Sequence, residues 1–189
     1  MHCQNLTAQQ RAYIYQNHMT RDFPKNELKP STMIERLLRE GVYDCLGLYD
    51  DQQLVGYAYF TKLPDSGHLL LDYYAILSDF RNRSYGGQFL SEFVRHYEQY
   101  RGILIEVENP DYANSETERK LQTRRLGFYL RNGARETAIR GVVFSAHFRI
   151  LVLEKERTED TILLERMIAI YDRMTGPERR RKNVMLQII

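Results

Sequence analysis

The chain has 189 residues, 43% of them hydrophobic and 28% charged, a length and balance suited to one soluble globular core. Its 27 basic and 25 acidic residues leave a formal charge of +2, which gives no electrostatic case for nucleic acid as a partner. Cys3 and Cys45 are too few for a disulfide framework and lack metal-ligand spacing, so a reducing interior is expected.

The opening MHCQNLTAQQ lacks the charged-then-apolar pattern of a secretory leader, and no apolar run approaches membrane-spanning length. A cytoplasmic location without membrane contact is therefore expected. Thr7 and Gln10 have capping-box spacing, and Ala12, Tyr15 and Met19 fall on one helical face. The two prolines of DFPKNELKP (Asp22 to Pro30) mark a connector. Met33, Ile34, Leu37 and Leu38 recur at helical spacing until Gly41.

After Gly41 the period changes. VYDCLGLYD and QLVGYAYF read as strands joined through Asp50-Asp51 in an antiparallel hairpin. PDSG (Pro64 to Gly67) reads as a turn, and HLLLDYYAIL as a strand too apolar to be half exposed. FRNRSYGGQFL leads from it into a helix whose stripe is Phe89, Leu90, Phe93, Val94 and Tyr97. GILIEVEN (Gly102 to Asn109) is a further strand, followed by a helix over Glu116 to Asn132 that stops at Gly133. AIRGVVF and FRILVLE form a closing pair. A last helix from Thr161 turns Leu164, Met167, Ile168, Tyr171 and Met174 inward and halts at Gly176-Pro177. The fold class is thus α/β, one domain over 1–189, with N-terminal helices in 1–41, a core in 42–154 and a C-terminal helix and tail in 155–189.

The turn after Ile76 attracts attention for its chemistry. A helix start leaves amide N–H groups unpaired beside a partial positive charge, Gly86 and Gly87 remove the Cβ barrier to a ligand, and Arg81 and Arg83 bind phosphate bidentately. Taken alone, these residues read first as a bare turn with solvated arginines. Neither GxGxxG nor GxxxxGK[ST] is present, which argues against a dinucleotide fold and a P-loop kinase.

In its context, LDYYAILSDFRNRSYGGQFLSEF resembles the acetyl-coenzyme A signature of the GNAT superfamily of N-acetyltransferases. Ala75-Ile76 stands at the strand end, and Arg81, Asn82, Arg83, Ser84, Tyr85 and Gly86 stand for the six-residue loop. Ser84 replaces the loop's first glycine; it keeps a backbone N–H and suits an N-cap, but glycine dihedrals are not expected of it. RRLGFYLRNGAR (Arg124 to Arg135) is similar to the family's later helix through Phe128, Tyr129 and Gly133, with Ala134 in place of an aromatic residue. The element order from Val42 to Leu153 follows the family, and the overall arrangement also resembles uncharacterised bacterial members, which suggests a bacterial source.

The resemblance implies a mixed, mostly antiparallel twisted sheet flanked by helices, with splayed central strands, here Leu69 to Leu77 and Ile103 to Glu108. It implies acetyl-coenzyme A as co-substrate, contacted by backbone at Ile76 and Leu77, by residues 81–87 and by Asn109, and an amine acceptor that is a small molecule or a peptide. Tyr129 matches a position where the family often has the general acid. For the base, Asp72 is a carboxylate in an apolar run, and Glu106 and Glu108 share one face of their strand; each reads equally as a carboxylate paired to an arginine, and water can also serve. His147 reads as a packed histidine, and no metal is expected. A non-catalytic acyl-coenzyme A-binding module is the alternative function, and the basic run Arg179 to Lys182 reads as a solvated tail. The last helix suits either its own sheet or a homodimer partner.

Overall fold

The computed structural model describes residues 1–25, 27–63 and 67–189, so most of the turn expected at PDSG lies outside the described residues. The chain divides into two compact units, Met1–Pro64 with Leu71–Glu98, and Asp65–Leu70 with Gln99–Ile189.

In the first unit, β1 (His2–Asn5) precedes α1 (Ala8–Ile14), a π-helical turn (Tyr15–Met19) and α2 (Thr20–Asp22). The capping box forms as expected, with Thr7 and Gln10 each bonding the other's backbone N–H. The inward face differs from the expectation: Ile14 and Met19 are buried and Ala12 is exposed. The π turn is the reason, since its five-residue repeat carries the buried position from Ile14 to Met19 in one step. α3 (Ser31–Arg39) buries Ile34 and Leu37 and ends at Gly41, whose φ of 71° suits glycine.

β2 (Tyr43–Asp50) and β3 (Gln53–Lys62) form the expected antiparallel hairpin, with Asp50 opposite Gln53. β1 pairs antiparallel with β2 on its other side. β4 (His68–Ile76) completes the order β1-β2-β3-β4 in this unit and leads through a 3-10 turn (Ser78–Phe80) into α4 (Tyr85–His96). Phe89, Leu90 and Phe93 anchor α4 in the core, as its stripe requires. Tyrosines cluster in the interior. The Tyr59 ring packs against Tyr43, Tyr57 and Tyr73 at centroid separations of 6.1, 5.9 and 6.2 Å, geometry that suits aromatic quadrupoles.

In the second unit the strand order is β5-β7-β6-β8, with β5 (Gly102–Glu108), β6 (Arg135–Val143), β7 (Ala146–Glu154) and β8 (Val184–Ile188). β7 pairs antiparallel with both β5 and β6, and β6 with β8. α5 (Glu116–Arg131) links β5 to β6, and α6 (Asp160–Thr175) and α7 (Pro177–Asn183) precede β8. The run expected to be a solvated tail is α7, and the chain beyond it is a paired strand. α6 buries Leu163, Met167, Ile170, Tyr171 and Met174. The expectation of Leu164 and Ile168 was off by one flank, because both flanks of the Met167-Tyr171-Met174 line are apolar. The fold class is α/β with mostly antiparallel strands, as expected. No helix among the described residues is long and apolar enough to cross a membrane.

Candidate active site

β4 is buried from His68 to Leu71 and only half-buried from Tyr74 onward, so the strand runs from core toward solvent at its C-terminal end. Leu77 donates its N–H to Val55 O at 2.9 Å. By strand alternation, the backbone groups of Ile76 turn away from β3. Its carbonyl accepts from Arg81 Nε at 3.0 Å.

Asn82 and Ser84 both take left-handed dihedrals, φ 63° and 64°, and bend the chain sharply into α4. Ser84 therefore adopts the glycine-like conformation that its side chain had argued against. Its hydroxyl makes no capping bond, so the first-turn N–H groups of Tyr85, Gly86 and Gly87 are not capped by it. Two phenols pin this turn: Tyr74 donates to Gly86 O and Tyr85 to Asp50 Oδ2, each at 2.6 Å. Residues 81–84 are exposed. An exposed, uncapped start of a 12-residue helix with adjoining backbone N–H groups is chemically suited to a phosphate anion.

The two arginines divide. Arg81 Nη2 pairs with Asp22 Oδ1 at 2.7 Å, and Asp22 also accepts from Tyr57 at 2.8 Å. With its bond to Ile76, Arg81 is a brace between loop, strand and α2. Arg83 is exposed and leans over the Phe80 ring at 5.6 Å, leaving it the better placed cation for an anion.

Asp72 is 7% exposed, with Lys29 Nζ 2.7 Å from Oδ1 and the Tyr43 hydroxyl donating to Oδ2. Burial, then the Asp72 charge, pushes the Tyr43 phenol well above its ordinary range, so it stays a donor. Tyr73 accepts from the Lys29 N–H and donates to Glu27 O, both at 2.8 Å. This geometry makes Asp72 the anchor of the 22–30 connector on β4.

In the second unit, Glu106 and Glu108 share a face of β5 but have different partners. Glu108 pairs with Arg125 of α5. Glu106, half-buried, accepts from the Tyr171 hydroxyl of α6 on both oxygens, at 2.8 and 2.7 Å. Tyr129, one turn beyond Arg125, is 8% exposed and packs edge-on against Phe128. Burial pushes its phenol up to about 12, against the pull of Arg125. Asn109 is buried; its Oδ1 caps the 3-10 turn at Pro110–Tyr112 through Asp111 N and accepts from Arg149 Nε at 2.8 Å. His147 stacks flat on Tyr112 at 3.7 Å, a packed histidine as expected. Arg125, Arg149 and Tyr171 were not identified in sequence as partners of site residues, because no local pattern marks a pairing made between elements many residues apart.

A family model described as the acetyltransferase (GNAT) family matches residues 10–133. Among solved structures, a protein of Bacteroides thetaiotaomicron assigned to the GNAT family superposes with TM-score 0.74 at 18% identity, covering 93% of this chain and 99% of its own. The ribosomal-protein-S18-alanine N-acetyltransferase of Escherichia coli gives 0.55 at 14% identity, covering 84% and 96%. An Elizabethkingia anophelis GNAT-family acetyltransferase with acetyl-CoA bound gives 0.51 at 16% identity, covering 80% and 96%. At these identities the likeness is one of fold. No curated protein matches the chain.

Proposed function

Because the chain belongs to the acetyltransferase (GNAT) family, we propose that it moves an acetyl group from acetyl-coenzyme A to a primary amine by direct attack, with the chemistry carried within residues 42–154. The observation that carries this reading is the exposed start of α4, where Asn82 and Ser84 in left-handed conformation precede uncapped first-turn amides. Those amides and Arg83 hold the donor's pyrophosphate, and the Ile76 N–H hydrogen-bonds the thioester oxygen. The acetyl-CoA held by the Elizabethkingia protein, which shares the fold, supports this choice of donor.

In the balanced reaction, a C–N bond replaces a C–S bond. The acceptor nitrogen loses two protons in passing from ammonium to amide, and the departing thiolate takes one up. Glu106 receives the ammonium proton. Tyr129 has the role of hydrogen-bond donor to the departing thiolate. Its phenol near 12 lies above an ordinary thiol at roughly 8.5, so full proton transfer alone is uphill by roughly 5 kcal/mol. That value already includes the downward pull of the Arg125 charge.

Calorimetric titration with coenzyme A tests the cradle. Gly86→Glu puts a like charge against the pyrophosphate and is expected to weaken binding roughly 100-fold, about 2.7 kcal/mol. A first-turn glutamate suits both helix propensity and the helix dipole, so the fold should not suffer. Unchanged affinity would overturn the assignment.

A further inference from the structure

Tyr171 lies on α6, outside the residues 10–133 that match the family, yet its single hydroxyl bridges both oxygens of Glu106 at 2.8 and 2.7 Å. The ring is 4% exposed and belongs to the buried line of α6 with Met167 and Met174, so the phenol is fixed by packing before any substrate arrives. Ordering a free glutamate side chain costs rotamer entropy. A packed donor on both oxygens has already met that cost.

Glu108, on the same face of β5, pairs with the Arg125 guanidinium of α5. The Tyr171 phenol holds the Glu106 carboxylate from a buried position on α6, so that the fold sets the carboxylate's orientation. We infer that Tyr171 is a positioning residue that holds Glu106 ready to receive the acceptor's proton, an inference that rests on the role given to Glu106 above.

A double-mutant cycle on wild type, Tyr171→Phe, Glu106→Gln and the double variant tests this. Thiol release from acetyl-coenzyme A is followed with spermidine, n-butylamine and an alanine-terminated peptide, and with water alone as acceptor if no amine is turned over. Tyr171→Phe keeps the packed ring and should lower kcat about tenfold, about 1.4 kcal/mol, with amine KM within twofold. Added to Glu106→Gln, it should cost nothing further. An equal loss in both backgrounds, a change in KM alone or no loss overturns the inference, as does a wild type that performs neither reaction. Full activity in Glu106→Gln removes the role of Glu106 and this inference with it. Coenzyme A binding, measured separately by calorimetry on the same variants, then still decides whether the donor site stands.

Discussion

Ser84 holds φ 64° and ψ 2°, a conformation that costs an L-residue roughly 1–2 kcal/mol and a glycine almost nothing. Asn82 shares the conformation at φ 63°, but asparagine tolerates it better. The strain at Ser84 is therefore relieved by Ser84→Gly, offset in part by the larger entropy glycine loses on folding. The expected net gain is about 1 kcal/mol, a rise in thermal midpoint of roughly 2–4 °C for a chain of this size. Coenzyme A affinity should stay within threefold, since the backbone N–H groups are unchanged. Destabilisation, or binding weakened by a factor of ten, would show that the hydroxyl has a task of its own. The position of this loop was legible in the sequence because glycines and a helix start mark it locally. The occupation of Arg81 was not, because its partner Asp22 lies 59 residues away.

The pairing of β3 with β4 governs how the half-buried end of β4 is presented. At Gly56 the two strands approach so closely that a Cβ would lie 2.6 Å from Ala75 O and 3.0 Å from Ile76 Cδ1. A backbone oxygen cannot yield as a side-chain tip does. Gly56→Ala should therefore displace Ala75 and Ile76, costing about 1–3 kcal/mol by urea unfolding and weakening coenzyme A binding several-fold by calorimetry. Wild-type values for both would show that β4 absorbs the methyl without moving. Long periodic elements such as α4 and the β2–β3 hairpin could be read from sequence, as their burial patterns are regular. β1 and β8 could not. They are four and five residues long, and HCQN carries no alternation; pairing with β2 and β6 makes them strands. The start of β6 was missed for a related reason: its ladder is interrupted between Glu136 and Arg140. There Asp160 accepts the Ala138 N–H and Thr137 accepts the Ile139 N–H.

Fourteen tyrosines and no tryptophan set a property of the molecule as a whole, its response to alkali. Tyr43, Tyr57, Tyr59, Tyr73, Tyr129 and Cys45 are each less than 9% exposed. Burial raises all six, Tyr73 and Tyr129 to about 12. Unfolded, the phenols ionise near 10 and the thiol near 8.5. Below those values folded and unfolded chains bind the same protons at these sites, and their contribution to stability is complete. Above them the unfolded chain releases protons that the folded chain keeps, so stability falls as pH rises toward the folded values. Each group then contributes a loss approaching 1.4 kcal/mol per pH unit, and five phenols acting together outweigh a typical stability of roughly 5–15 kcal/mol within one to two units. The urea midpoint should therefore be flat from pH 7 to 8, decline slightly toward pH 9.5 as the Cys45 difference opens, and collapse between about pH 10 and 11.5. Tyrosinate absorbance should rise in two parts, exposed phenols first and the buried set only with loss of near-ultraviolet circular dichroism. Smooth titration of all fourteen near pH 10 with the fold intact would show that the interior phenols reach solvent without unfolding, and would remove the packed tyrosine core as the source of alkaline instability.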